Sequence, residues 1–315
     1  MKELRIVFMG TPEFAASTLS RLIDENYIVV GVITAPDRPA GRGRKLQQSD
    51  VKKLAVANEL TVLQPTNLKS EAFLNELKAL NANLQIVVAF RMLPKVVWAM
   101  PEYGTFNLHA SLLPDYRGAA PINWAIINGE TETGVSTFFI DDKIDTGEII
   151  LQEKVSIEKD DNAGKLHDKL MLVGADLVVK TVHNIETSSV TTERQKSNKI
   201  LKEAHKIHKE TCEIDWNRSL TDIHNHIRGL SPYPSAWTTL VNGNDNIFIK
   251  VYDSGIEKAA HQFESGKVIS TKKELKIAIE KGYIILKEIQ LPGKKKMKIR
   301  DVLNGLHIQE NARML

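Results

Sequence analysis

The chain has 315 residues, a formal net charge of +3, 42% hydrophobic and 26% charged residues, and one cysteine. This length is too great for one comfortable core and points to about two domains, with the composition of an ordinary soluble enzyme. No run approaches the ~18 apolar residues of a membrane helix. The first apolar run is too short for a secretory signal and is broken by Gly10, Thr11 and Pro12. Cys212 alone excludes an intrachain disulfide and a multi-cysteine metal site, so the cytoplasm is the expected compartment.

The first half alternates strand and helix. LRIVFM (4–9) and YIVVGVI (27–33) are continuous apolar runs, as expected of strands covered on both faces. Pro12 opens a helix through Leu19, Leu22 and Ile23, and Ser49 is placed to cap another. LQIVVAF (84–90), GTFNLHA (104–110) and TGVSTFFI (133–140) supply further strands, and a long helix is expected over about 162–186. The pattern predicts a doubly wound, mostly parallel, Rossmann-like α/β sheet. TSSVTTERQKSNK (187–199) is polar and reads as a linker. After it, CEIDWNRSLTDIHNHIRGL (212–230) reads as one helix. SAWTTLV, NIFIKVYD, GKVIST, ELKIAIE and GYIILKEIQ follow as short strands of a small β-barrel or sandwich.

The first βα turn, GTPEFAA, has Gly10 but not the G-x-G-x-x-G that a dinucleotide needs. A ligand should therefore sit at the carboxyl ends of other strands. In FNLHASLLPDYRG (106–118), Asn107 and His109 are two apart on a strand and share a face. They could also be a satisfied core pair. FFIDDKIDTGEII (138–150) adds Asp141, Asp142 and Asp145 just after a strand, completing an amide, an imidazole and a carboxylate. No Ser or Cys nucleophile is partnered with this histidine, and no metal-ligand spacing is present, so no metal is expected. An amide donor with an imidazole and a carboxylate as proton handlers suits attack on a carbonyl by a nucleophile that the substrate brings.

Two basic features remain. APDRPAGRGRKLQQ (35–48) sets Arg38, Arg42, Arg44 and Lys45 between prolines and glycines, in a long loop at the sheet edge that favours a phosphate-rich substrate; a solvated linker is the alternative. PGKKKMKIRD (292–301) concentrates Lys294, Lys295, Lys296, Lys298 and Arg300. Residues 206–315 carry 18 Lys/Arg against 13 Asp/Glu, weak evidence for a polyanionic partner.

GTPEFA, PDRPAGRG, NLHASLLPDYRGAAPINWAI, DTG, IDW and SPYPSAW resemble, in order and spacing, the methionyl-tRNA formyltransferase family, over about residues 5–304. NLHASLLPxYRG followed by DTG marks the wider superfamily that uses 10-formyltetrahydrofolate. The Arg-rich loop, SPYPSAW and the basic C-terminal part resemble its tRNA-acting branch. The resemblance implies a catalytic domain over 1–187, a linker over 188–206 and an OB-like barrel over 207–315 that binds tRNA. It implies that the α-amino group of methionyl initiator tRNA attacks the formyl carbon of the folate co-substrate, for translation initiation. Asn107 would then donate to the developing oxyanion. His109 would stabilise that charge and help move protons. Asp145 would orient His109 or a water and accept the amine proton. The folate would lie against Phe90, Leu93, Ser111, Leu112, Leu113 and Pro114. Arg38, Arg42, Arg44, Lys45, Lys206, Lys294, Lys295 and Lys296 would meet the tRNA. One departure is AFRMLP (89–94), where the family usually shows AYGxxLP; Arg91 is given no role. A monomer is expected. A formyltransferase for a small amine, such as an amino sugar nucleotide, and an RNA-binding module with a degenerate catalytic half are the competing readings.

Overall fold

The computed structural model describes residues 3–40, 45–196 and 200–315. They pack as two compact units that do not follow chain order. One takes the chain up to Gly118, Thr133–Ser156 and His167–Glu203; the other takes Ala119–Glu132, Ile157–Leu166 and Ala204–Leu315. Among the described residues no helix is long and apolar enough to cross a membrane.

The first unit is built on a seven-stranded sheet. Its spatial order is Ile149–Ser156, Glu132–Phe139, Thr105–His109, Leu84–Val88, Arg5–Gly10, Ile28–Ile33 and Val62–Leu63. The strands from Thr105–His109 to Val62–Leu63 are parallel to one another. Leu84–Val88 is buried along its whole length and is apolar except for Gln85, whose side-chain oxygen accepts from Thr105 Oγ1 at 3.0 Å. Arg5–Gly10 connects first to one side of the sheet and later to Leu84–Val88 on the other, so the topological switch point lies between these two strands. Glu132–Phe139 departs from the pattern by running antiparallel to Thr105–His109.

Helices cover the sheet where the sequence signals put them. Glu13–Asp24 starts directly after Pro12, and Asp50–Ala57 is capped by Ser49 Oγ, which accepts the Lys52 N–H at 3.0 Å. Glu71–Ala79 buries Phe73 and Leu77 in a cluster with Val7, Met9, Ile33, Val87, Leu93 and Val97. The long helix spans Ala163–Glu186. A Cβ at its Gly174 would meet Leu108 Cδ2 at 2.9 Å, so the glycine lets the helix lie close against the Thr105–His109 strand.

The second unit is an antiparallel sheet with spatial order Val268–Ser270, Leu275–Ile279, Gly282–Gln290, Asp245–Lys258, Ala236–Asn242 and Arg313–Met314. Its ends meet: Val268 N–H donates to Ala312 O at 3.1 Å and Met314 N–H donates to Gly266 O at 2.8 Å, which nearly closes the sheet into a barrel. The alternation in Ala236–Asn242, with Ala236, Thr238 and Leu240 buried, fills the interior. The single helix expected over 212–230 is shorter. Glu210–Cys212 is one 3₁₀ turn and only Leu220–Leu230 is α-helical. Between them Ile214 N–H joins Trp237 O at 2.9 Å along the barrel edge. Asp215 accepts the Asn217 N–H at 3.0 Å in an Asx turn, and Ser219 then caps the helix through Asp222 N–H at 3.1 Å. Local side-chain acceptors have outcompeted helix continuation.

That helix carries two histidines against the barrel. Burial pushes both the His224 and the His226 imidazole below the ordinary value, helped by Arg228 beside His224 and Arg218 beside His226. The unfolded chain therefore binds more protons than the folded one on the acid side of about pH 6.5. Stability from these residues is complete above that pH and is lost as the pH falls. A calorimetric scan at pH 7.5 and 5.5 should show a lower midpoint at pH 5.5, and His226→Gln should reduce the difference. An unchanged difference in the variant would contradict this.

Candidate active site

The Thr105–His109 strand is read from both sides. Leu108 is buried under the long helix at Gly174, so Asn107 and His109 project from the opposite face. Asn107 is half-buried, and among the described residues its carboxamide has no hydrogen-bond partner. His109 is buried, and its Nε2 lies 2.8 Å from Tyr116 O. A carbonyl only accepts, so Nε2 carries the hydrogen. In the neutral ring Nδ1 is then the bare acceptor. It faces Asp145 Oδ2 at 3.8 Å, beyond hydrogen-bond reach. Tyr116, not Asp145, sets the tautomer and orientation of the ring.

Asp145 reaches His109 by an indirect route. Sequence reasoning set it at the same sheet edge as His109 because both follow a strand. The antiparallel register instead pairs His109 with Ser136 and Phe106 with Phe139, so the chain leaves Phe139 at the far end of the strand. The 140–147 loop folds back to bring the Asp145 carboxylate to His109. Thr146 Oγ1 donates to Asp141 at 2.8 Å inside the loop. Gly118 N–H donates to Asp145 Oδ2 at 2.9 Å from outside it. Asp145 itself has φ +54°, a left-handed conformation that Asp tolerates better than most residues. Gly147 runs so close to Phe139 that a Cβ would stand 1.6 Å from the Phe139 carbonyl oxygen. Asp142 is exposed, 3.7 Å from Lys95, and takes no part.

The remaining sequence candidates divide. The 89–94 and 110–114 loops leave adjacent parallel strands, so Phe90, Leu112 and Pro114, all half-buried, flank one carboxyl edge. Ser111, Leu113 and Leu93 are buried. Ser111 Oγ donates to Asp115 O at 2.7 Å, and Gln152 Nε2 donates to Leu113 O at 3.0 Å; both bonds support the loop from within. Leu93 packs in the apolar cluster beneath the Glu71–Ala79 helix. Arg91 ties this edge together: its guanidinium donates to Pro65 O and to Thr66 O and lies 5.6 Å from the Phe90 ring centre.

The basic loop closes as a β-ladder, Arg38–Ala40 against Lys45–Gln47. Its base is pinned by the Asp37–Lys52 ion pair at 2.6 Å and by Gln64, which donates to Asp37 Oδ1 at 2.9 Å. Arg42 and Arg44 lie outside the described residues, as does the Lys45 side chain. Lys206, Lys294 and Lys295 are exposed on the second unit. Lys296 is tied down, 3.0 Å from Glu288 and 5.3 Å from the Tyr252 ring centre.

Two supporting groups carried no sequence signal, because they act through the backbone: the Tyr116 carbonyl and the Gly118 N–H. A third, Gln195, sits in the polar stretch read as a linker. Its Nε2 donates to Asp145 O at 3.0 Å and to Gly147 O at 2.8 Å.

The family model described as formyl transferase matches residues 4–182, and the one described as formyl transferase, C-terminal domain, matches residues 206–307. The chain belongs to the formyl transferase family, a class of one-carbon transferases. It is 60% identical to the methionyl-tRNA formyltransferase of Flavobacterium johnsoniae over 314 residues, which cover 100% of both chains. It is 50% identical to the methionyl-tRNA formyltransferase of Bacteroides thetaiotaomicron over 318 residues, 99% of each chain. Among solved structures, the sugar 3N-formyl transferase WlaRD, crystallised in the presence of dTDP and 5-N-formyl-THF, shares the fold. Its TM-score is 0.66 at 21% identity, covering 94% of this chain and 100% of that one.

Because the Phe139 carbonyl is backbone, Gly147→Ala must displace the loop that carries Asp145. Formyl transfer should fall by about a hundredfold, the loss expected of a misplacement of about 1 Å, with the far-UV circular dichroism unchanged. Turnover within threefold of wild type would contradict this account of the loop.

Proposed function

We propose that this chain transfers the formyl group of 10-formyltetrahydrofolate to the α-amino group of methionyl initiator tRNA. The product would be the formylmethionyl-tRNA that starts protein synthesis. The observation that carries the reading is the 60% identity to a methionyl-tRNA formyltransferase, which runs through both domains and the segment between them. A small-amine acceptor has weaker support: the sugar formyltransferase shares the fold at 21% identity. Charged tRNA is made where ribosomes work, which supports the cytoplasm as the site of action.

The residues suit this chemistry. When bound, the folate supplies an electrophilic formyl carbon. The apolar, half-buried Phe90, Leu112 and Pro114 at neighbouring loops suit the faces of a flat heterocycle, with Ser111, Leu113 and Leu93 supporting those loops from below. In this reading the unpartnered Asn107 carboxamide donates to the negative charge that develops on the formyl oxygen. One such donor is typically worth ~3 kcal/mol. His109, with its Nε2–H occupied by Tyr116, can take a proton at Nδ1, and the imidazolium so formed stabilises the same charge. A free α-amino group has a pKa of about 8, so much of it is protonated at neutral pH. The Asp145 carboxylate, 16% exposed, accepts the proton that the attacking nitrogen must lose. On the polyanionic side, Arg38 and the exposed Lys206, Lys294 and Lys295 offer phosphate partners, with Arg42, Arg44, Lys45 and Lys296 completing the basic set.

Asn107→Ala should lower turnover by a hundredfold or more while tRNA binding, followed by filter retention, stays within twofold. Near-normal turnover would overturn the role of Asn107, and lost tRNA binding would show that its effect is not on the chemical step.

A further inference from the structure

Residues 183–205 lie between the two family-model matches. Part of that stretch is fastened to the loop that carries Asp145. Glu193 pairs with Ile149 through two backbone hydrogen bonds, Ile149 N–H to Glu193 O at 2.8 Å and Glu193 N–H to Ile149 O at 2.9 Å. Thr192 Oγ1 donates to Glu148 Oε2 at 2.6 Å, and Arg194 Nε donates to Glu148 Oε1 at 3.2 Å. These contacts hold the strand next to the loop. Gln195 then enters the loop itself.

The Gln195 amide uses its full bonding capacity. Its two N–H groups go to Asp145 O at 3.0 Å and Gly147 O at 2.8 Å. Its oxygen accepts from Arg117 Nε at 3.1 Å and from the Arg117 terminal nitrogen at 2.6 Å. The orientation is unambiguous, since a guanidinium only donates and a carbonyl only accepts. Gln195 is thus a brace between two loops. One carries Tyr116, whose carbonyl holds His109, and Gly118, whose N–H holds the Asp145 carboxylate. The other carries Asp145, in a left-handed backbone that needs outside contacts to persist.

We propose that Gln195 is a positioning residue for the transfer step: it fixes the backbone on both sides of Asp145, and with it the approach of the carboxylate to His109. The proposal rests on the reading of Asp145 as the proton acceptor. Shortening the side chain removes the brace without changing the chemistry of any group that meets substrate; what it loosens is the position of the Asp145 carboxylate. Shifts of about 1 Å in a catalytic group cost up to a hundredfold in rate.

The test compares Gln195→Ala, Gln195→Glu and Asp145→Asn, with kcat and KM for charged initiator tRNA and for 10-formyltetrahydrofolate measured between pH 5.5 and 9. Gln195→Glu keeps an acceptor for Arg117 but turns an oxygen toward the two loop carbonyls, so it isolates the donor half of the brace. The expected result is a kcat lower by about tenfold to a hundredfold in both Gln195 variants. Both KM values should stay within threefold, and the acidic limb of the kcat profile should be displaced. Wild-type kcat and pH profile in both variants, with Asp145→Asn inactive, would overturn the role of Gln195 and leave that of Asp145 standing. A raised tRNA KM with unchanged kcat would also overturn it. Full activity of Asp145→Asn would instead overturn the reading on which the proposal rests.

Discussion

A strand of five residues, Thr105–His109, governs the site, because its two faces are committed to different tasks. On one face Leu108 seats the long helix through the gap that Gly174 leaves. Burying a leucine of this kind is worth about 1.5–3 kcal/mol, and truncating it costs more because of the cavity. The strand therefore cannot slip by one residue without losing that packing. A slip of one would turn Asn107 and His109 into the core and Leu108 into the site. The hydrophobic contact on the back of the strand fixes the register of the polar groups on the front.

The polar groups are then finished by backbone atoms from loops. Tyr116 O takes the Nε2 hydrogen of His109, and Gly118 N–H binds the Asp145 carboxylate, so one short loop orders both the imidazole and the acid. The acid comes from a loop that folds back against the strand direction. That return is held at its carboxylate, at its internal Thr146–Asp141 bond and at its main chain by Gln195. Of these three residues, Asn107 is the one whose side chain has no hydrogen-bond partner among the described residues, as a group reserved for a ligand would be. The support is dense around His109 and Asp145 and absent at the Asn107 carboxamide proposed to meet the formyl oxygen.

Much of this was legible in the sequence where burial writes a period. The segments at 84–90 and 104–110 mark strands, Ser49 marks a cap, and the spacing of Asn107 and His109 puts them on one face. The barrel strands were legible for the same reason. The direction of Glu132–Phe139 was not, since an apolar strand reads alike in either direction, and the return of Asp145 depends on that direction. Gln195 was hidden for the opposite reason: it lies in a polar stretch with no period, and its four bonds go to partners 48 to 78 residues away. The helix expected from Cys212 failed at Asp215 and Ser219, whose side chains accept the backbone N–H groups of Asn217 and Asp222. Arg91 departs from the usual pattern of the 89–94 segment, and its bonds to the 65–66 carbonyls show it acting as a tie for that loop.

The central claim is that the Asn107, His109 and Asp145 cluster serves an amine delivered on tRNA. The most direct measurement mixes the purified protein with 10-formyltetrahydrofolate and charged initiator methionyl-tRNA and follows acid-stable formylmethionine. Charged elongator methionyl-tRNA and an amino sugar nucleotide serve as parallel acceptors. The account predicts rapid formylation of the initiator tRNA and little of either competitor. Transfer to the amino sugar nucleotide with none to the tRNA would keep the chemistry of the cluster and contradict the claim about its substrate.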